Sequence, residues 1–164
     1  MARVLYPGSF DPIHLGHLDV VEQAVALFGE VVVVAMYNPA KDDGMFHLDE
    51  RLELVRESVA HLGGVTVEAR PGLVVDAARE LGVDFIVKGL RTPADFEVEQ
   101  QMAHTNRSVT GIRTVYVPGA PELAFISSRF IREIARYGGA VGHLVPAPVA
   151  ERLARHAPPG GTAT

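Results

Sequence analysis

The sequence predicts an α/β fold, a parallel sheet of five strands with helices on both faces. Three observations carry that expectation. Short β-branched runs alternate with longer segments whose apolar residues recur at helical spacing, the order that yields a parallel sheet with right-handed crossovers. Val31-Val32-Val33-Val34-Ala35-Met36 is apolar without interruption, as suits a strand covered on both faces. The unusual polar loops all follow strands, whereas the connections after helices are plain glycine stops. Ligands of open parallel sheets bind beyond the carboxyl ends of the strands, so the candidate residues gather on one rim.

The first strand is expected over residues 4–7, and Leu18, Val21, Val25 and Phe28 mark a helix over 18–28 that Gly29 ends. The valine run supplies the second strand. Asn38-Pro39-Ala40-Lys41-Asp42-Asp43-Gly44 reads as a loop by its turn residues. Leu48, Leu52, Val55, Val59 and Leu62 form the apolar stripe of a helix over 49–62, with Asp49 and Glu50 at its start and Gly63-Gly64 as its stop. A third strand follows over 65–69, a short helix over 73–81 and a fourth strand over 85–87, with Lys88-Gly89-Leu90-Arg91 as the loop after it. Thr92 suits the N-cap and Pro93 the first turn of a helix over 93–107. The fifth strand spans 112–117 and is broken by Pro118-Gly119-Ala120-Pro121. A helix opening near Ser127-Ser128 is expected to carry Phe130, Ile131 and Ile134 inward and to end at Gly138-Gly139. A last helix spans 147–156, and residues 157–164 are expected to form a disordered tail. No linker divides the chain, so residues 1–156 are read as one domain.

Composition narrows the function classes. The chain has 164 residues, 48% hydrophobic and 21% charged, enough to bury a substantial core. A formal charge of −5 argues against a bulk nucleic-acid or anionic-membrane surface, while leaving room for a locally basic pocket. The absence of cysteine excludes disulfides, thiol nucleophiles and cysteine metal sites. Neither a signal-peptide core nor a bilayer-spanning run is evident, so the expectation is a cytoplasmic protein without membrane or nucleic-acid partners. Of fifteen basic residues only Lys41 and Lys88 are lysine, and both fall just after expected strands. A lysine is a compact point charge suited to a phosphate oxygen, and arginine's planar fork does not replace it freely.

The stretch Gly8-Ser9-Phe10-Asp11-Pro12-Ile13-His14-Leu15-Gly16-His17 lies between the first strand and the first helix. A helix N-terminus presents unpaired N–H groups and a positive dipole end, glycine admits a phosphate close to the backbone, and Ser9 adds a hydroxyl. This reads as a phosphate site with His17 touching the reacting group. His14, three residues before it, is the secondary and structural partner; two histidines without a third ligand do not make a zinc site. Asp11 is assigned to turn chemistry, bonding backbone amides. His47, His61, His104, His143 and His156 read as scattered surface or helix-end residues. The fingerprints G-x-G-x-x-G, G-x-x-x-x-G-K-[ST] and G-x-S-x-G are all missing, which weakens dinucleotide, P-loop and hydrolase readings. Lys88-Gly89-Leu90-Arg91 puts two cations around a glycine on the same rim, and Ser127-Ser128-Arg129 opens a helix as a second phosphate cradle.

With these residues assembled, the chain resembles the H-x-G-H nucleotidyltransferase superfamily, through His14-Leu15-Gly16-His17, and within it the bacterial phosphopantetheine adenylyltransferases. The likeness reaches to about residue 156. It rests on Tyr6-Pro7-Gly8-Ser9-Phe10-Asp11-Pro12, Asn38-Pro39-Ala40-Lys41, Met45-Phe46, Lys88-Gly89-Leu90-Arg91, Asp95-Phe96-Glu97-Val98-Glu99, Ala103-His104-Thr105-Asn106-Arg107 and Phe125-Ile126-Ser127-Ser128. The resemblance implies the Rossmann-like nucleotidyltransferase fold and transfer of AMP from ATP to 4′-phosphopantetheine, giving dephospho-CoA and pyrophosphate. It further implies Mg²⁺, a homohexamer and inhibition by coenzyme A. Carried onto this sequence, the catalytic residues are His17, Lys41 and Arg91. The ATP side comprises Ser9, Phe10, His17, Gly89, Leu90, Arg91, Glu99 and the run Leu123, Ala124, Phe125, Ile126, Ser127, Ser128, Arg129. The acceptor side comprises Ser9, Lys41, Val74 and Lys88. No residue is expected to form a resident metal site. His14 stands where the subfamily often has threonine, Val98 replaces a frequent tyrosine, Leu123 a frequent aromatic and Arg129 a small hydroxyl residue. Asp42-Asp43-Gly44 is one residue longer than usual. The rivals are a related transferase acting on nicotinate mononucleotide or glycerol 3-phosphate, and a non-catalytic nucleotide sensor.

Overall fold

The computed structural model describes residues 1–41 and 44–156. The longer loop at Asp42-Asp43 and the tail 157–164, expected to be disordered, lie outside the described residues. The elements are β1 Ala2–Gly8, α1 Leu15–Phe28, β2 Gly29–Tyr37, α2 Leu48–Val59, β3 Val65–Pro71, α3 Val74–Glu80, β4 Phe85–Leu90, α4 Pro93–Thr110, β5 Arg113–Pro118, α5 Ser128–Arg136 and α6 Ala147–His156. The strands form one parallel sheet in the order β3-β2-β1-β4-β5. Val4 is in register with Val31, Leu5 with Ile86 and Lys88 with Tyr116.

The strand period of two explains the two-sided core. Val4, Tyr6, Val31, Val33, Ala35, Val87 and Val117 point to the face where residues of α1, α2, α5 and α6 join them. Leu5, Val32, Val34 and Ile86 point to the other face, against Val75, Ala77 and Ala78 of α3. Right-handed crossovers require this division: the chain steps outward from β1 through β2 to β3, then reverses across β1 to β4 and β5, so α3, which carries the return, lies on the face opposite α1 and α2. The reversal leaves a switch point between β1 and β4, the place where such sheets bind ligands.

Several boundaries differ from the sequence reading. The helix expected over 18–28 begins at Leu15, because His14 caps it. Its buried positions are Val20, Val21 and Ala24, with Leu18, Val25 and Phe28 partly buried beside them. α2 ends at Val59 rather than 62, and Leu62 packs on the core from a turn whose N–H bonds Val59 O at 2.9 Å, so Gly63-Gly64 is not its stop. Lys88, Gly89 and Leu90 are not a loop but the end of β4, paired with Tyr116, Val117 and Pro118. The helix expected to stop at 107 continues to Thr110, where left-handed Gly111 caps it. In α5 only Ile131 is buried, while Phe130 is 55% and Ile134 41% exposed. Phe130 and Ile134, four apart, share the more exposed side of α5.

Gly89 shows how tightly β4 and α1 approach beside the switch point. A Cβ added there would lie 2.6 Å from Cγ2 of buried Val20. Overpacking of this kind typically costs about 1–3 kcal/mol. Urea unfolding of Gly89→Ala should show a loss in that range, and the loss should be smaller when Gly89→Ala is introduced into Val20→Ala.

Candidate active site

β1 ends at Gly8, and the chain turns back over its own strand. A Cβ on Gly8 would lie 2.9 Å from Cζ of Phe10, which leaves no side chain but hydrogen at that position. Phe10 has φ 47°, a left-handed conformation uncommon for a residue other than glycine. Burial holds it there: its ring is edge-on to Tyr6 at 5.7 Å and to His17 at 5.1 Å. The Asp11 carboxylate accepts from the Met45 and Phe46 amides, both at 2.9 Å, which is the structural role read from the sequence. Three loop carbonyls are also claimed. Ser9 O accepts from Arg51 Nη1 at 2.9 Å, Asp11 O from Arg132 Nη1 at 2.6 Å and Pro12 O from Ser128 Oγ at 2.8 Å.

The start of α1 is closed by its two histidines. Nδ1 of His14 accepts from the His17 amide and Nδ1 of His17 accepts from the His14 amide, each at 3.3 Å, a capping box built from imidazoles. The rings stack with centroids 3.6 Å apart and planes 19° from parallel. Burial first, and Arg91 second, lower the His14 pKa from 6.5 to about 4. Burial, His14 and Arg91 together hold His17 well below its ordinary value. Both rings are thus neutral at pH 7, and with each Nδ1 used as an acceptor the proton must sit on Nε2. The pair offers two neutral N–H donors. Gly16 makes room for this arrangement, since a Cβ there would meet His14 Cε1 at 3.1 Å.

The facing wall comes from β4, α4 and the segment after β5. Lys88 Nζ pairs with Glu99 Oε1 at 3.1 Å, both partly buried. Arg91 donates to Ile126 O at 2.9 Å and, through Nε, to Asp95 at 3.3 Å. Burial works upward on the Asp95 carboxyl, but the Arg91 contacts outweigh it and lower its pKa. Asp19 of α1 accepts from the Ala120 amide at 3.0 Å and so ties the segment after β5 to α1. Between the walls lies a cavity of about 340 Å³. Lys88, Arg91, Arg129 and Arg132 line it, against Glu99 as the acidic residue among the described lining. It is locally basic in an acidic chain. Among the described residues no three His, Cys, Asp or Glu side chains gather as metal ligands.

Of the residues expected here, Ser9, His17, Lys88, Gly89, Leu90, Arg91, Glu99, Leu123, Ser127, Ser128 and Arg129 line the cavity. Phe10 is buried beneath it, and Ile126 is buried, its carbonyl accepting from Arg91 and its N–H bonding Leu123 O. Ala124 and Phe125 are not among the lining residues, and the Phe125 ring is exposed. Lys41 is exposed on the loop after β2 and also lies outside the lining. Val74 borders a second, apolar groove of about 380 Å³ with Leu73, Val98, Met102 and Val109. Lys88 and Glu99 line both spaces. Sequence reasoning passed over Tyr6, Val20, Gly119, Ala120 and Arg132 and undervalued His14. Arg132 was within reach of the helical rule, one turn beyond Ser128 on α5. Gly119 and Ala120 lay in a strand-end loop on the expected rim and Tyr6 in a motif of the resemblance, while no local signal marked Val20.

The chain belongs to the cytidylyltransferase-like family, whose pattern matches residues 5–134, and within it to the phosphopantetheine adenylyltransferases. It is 51% identical over 154 residues to the phosphopantetheine adenylyltransferase of Synechococcus sp. (strain CC9311), covering 93% of this chain and 96% of that one. Its structure is similar to the crystal structure of the lipopolysaccharide core biosynthesis protein from Thermoplasma volcanium GSS1. That match has 26% identity and a TM-score of 0.53, over 73% of this chain and 97% of the other.

The neutral histidines make stability depend on pH. As pH falls from 6.5 towards 4, the unfolded chain protonates a His14 that the folded chain keeps neutral, so stability is lost across that window and is present in full above it. His14→Asn keeps a cap acceptor but does not titrate. Between pH 7 and 4.5 its unfolding free energy should fall by about 2 kcal/mol less than that of the parent chain, measured by urea titration.

Proposed function

We infer that the protein is an adenylyltransferase of coenzyme A biosynthesis, moving AMP from ATP to 4′-phosphopantetheine with release of pyrophosphate. The observation that carries this is the 51% identity, over nearly the full length of both chains, to a phosphopantetheine adenylyltransferase. The basic cavity at the switch point, with neutral imidazole donors at a helix start, supports it. So does the apolar groove joined to the cavity through Lys88 and Glu99, which suits the aliphatic arm of the acceptor better than a nicotinamide or glycerol group.

The acceptor's phosphate oxygen is anionic at neutral pH and needs no general base. It attacks the α-phosphorus in line; the bond to the bridging oxygen breaks, and pyrophosphate leaves with the electron pair, without a covalent enzyme intermediate. Catalysis is then positioning and charge stabilisation. The Nε2–H of His17 donates to an α-phosphate oxygen, with the His14 donor beside it. Arg91, Arg129 and the Ser127-Ser128 start of α5 hold the departing pyrophosphate. Ser9, Gly89, Leu90, Glu99 and Leu123 shape the ATP side. Lys88 and Val74 meet the acceptor, and Lys41 steers its phosphate from the neighbouring loop. The ATP-side residues hold the triphosphate, and a Mg²⁺ bound with it would neutralise part of its charge. We also propose a cytoplasmic homohexamer inhibited by coenzyme A. Among the described residues no helix is long and apolar enough to cross a membrane.

Pyrophosphate release with ATP should occur with 4′-phosphopantetheine and not with nicotinate mononucleotide or glycerol 3-phosphate. Turnover on one of the latter reassigns the substrate, and ATP binding without turnover on any acceptor makes the protein a sensor. His17→Asn keeps a cap acceptor but loses the Nε2–H. Its kcat should drop on the order of a hundredfold or more, corresponding to ~3 kcal/mol, while ATP affinity measured by calorimetry changes little. Lys41→Ala should raise KM for the acceptor on the order of tenfold and leave KM for ATP within about twofold; unchanged acceptor kinetics would remove Lys41 from the site.

A further inference from the structure

A loop that binds an anion must keep its carbonyl oxygens out of the way, since each carries partial negative charge. In the loop after β1, Ser9 O, Asp11 O and Pro12 O are held by Arg51, Arg132 and Ser128. Arg132 and Ser128 also line the cavity, so either can touch a ligand directly. Arg51 does not line it. It stands in the first turn of α2, half-buried, and makes no ion pair among the described residues. The carboxylates of Glu50 and Glu53 beside it are bonded to Arg152 instead.

The peptide that Arg51 grips joins Ser9 to Phe10. A trans peptide is planar, with its C=O and N–H pointing opposite ways, so a donor that fixes Ser9 O also fixes the direction of the Phe10 N–H. That N–H has no hydrogen-bond partner among the described residues, although Phe10 is buried. Buried backbone donors are almost always paired, so the direction of this peptide is set from its carbonyl side, by Arg51. The left-handed φ of Phe10 and its ring, wedged between Tyr6 and His17, hold the other side of the same peptide.

We propose that Arg51 is a positioning residue for nucleotide phosphate: its bond to Ser9 O fixes the Ser9–Phe10 peptide and, with it, the Ser9 hydroxyl that lines the cavity. The inference rests on the adenylyl-transfer reading for its choice of ATP as ligand. The test is calorimetric titration with ATP and with adenosine, which lacks phosphates, of the parent chain, Arg51→Met and Arg56→Met. Arg56, an exposed arginine of the same helix, is the charge control: it donates to Val67 O at 3.5 Å, away from the loop. Arg51→Met should lose ATP affinity about tenfold or more, the scale of a charged hydrogen bond, with adenosine affinity unchanged within about twofold. Arg56→Met should change neither. Equal losses for ATP and adenosine, no loss for ATP, or the same ATP loss in Arg56→Met would overturn the proposal. Should Arg51→Met fail to fold, Arg51→Gln, whose shorter stem does not reach Ser9 O, carries the same expectation. Pyrophosphate release by the parent chain with 4′-phosphopantetheine is measured alongside. Its absence would remove the transferase reading, while the ATP-to-adenosine comparison would still decide the role of Arg51.

Discussion

Right-handed crossover is the constraint on which the rest of this molecule depends. A chain that builds its sheet outward from β1 and then returns across it must place the helices of its outward and return crossovers on opposite faces. The loops leaving β1 and β4 then diverge, and the crevice between them is the cavity lined by Ser9, His17, Lys88 and Arg91. The two cores on either side of the sheet follow from the same topology, because alternate residues of β1 and β2 must be apolar in both directions.

Within the crevice, electrostatics is arranged by backbone as much as by side chain. Burial and Arg91 keep both imidazoles neutral, and the capping box turns Nδ1 of each to the backbone of the other. Neutral donors suit a site already ringed by Lys88, Arg91, Arg129 and Arg132, where further positive charge in the stacked rings would be repelled. Carbonyls of the loop are taken by donors from α2 and α5, and the carboxylates near the cavity face Lys88 and Arg91. What remains for a ligand is a surface of N–H groups, hydroxyls and cations in a protein whose net charge is −5.

Much of the fold could be read from the chain because its signals are local. The valine run, the Thr92-Pro93 helix start and the stop at Gly29 depend on side-chain period and turn chemistry within a few residues, and all appear where expected. The errors arose where packing overrode such signals. Leu62 looked helical because it faces the core, yet it reaches the core from a turn. Lys88-Gly89-Leu90 looked like a loop because it is polar and contains glycine. Its pairing with β5 makes it strand, and its glycine is required by Val20 across the sheet.

By itself the sequence determined the order of strands and helices, the rim on which the polar loops lie and the residue types facing a phosphate. These follow from periodicity, capping and the rule that parallel sheets bind ligands at their carboxyl ends. Only the tertiary structure decided how those residues are held. The donors on the loop carbonyls come from positions 42, 121 and 116 residues away, a distance no local pattern spans. The neutrality of His14 and His17 likewise depends on burial and on Arg91, and burial is a property of the packed fold rather than of any stretch of chain.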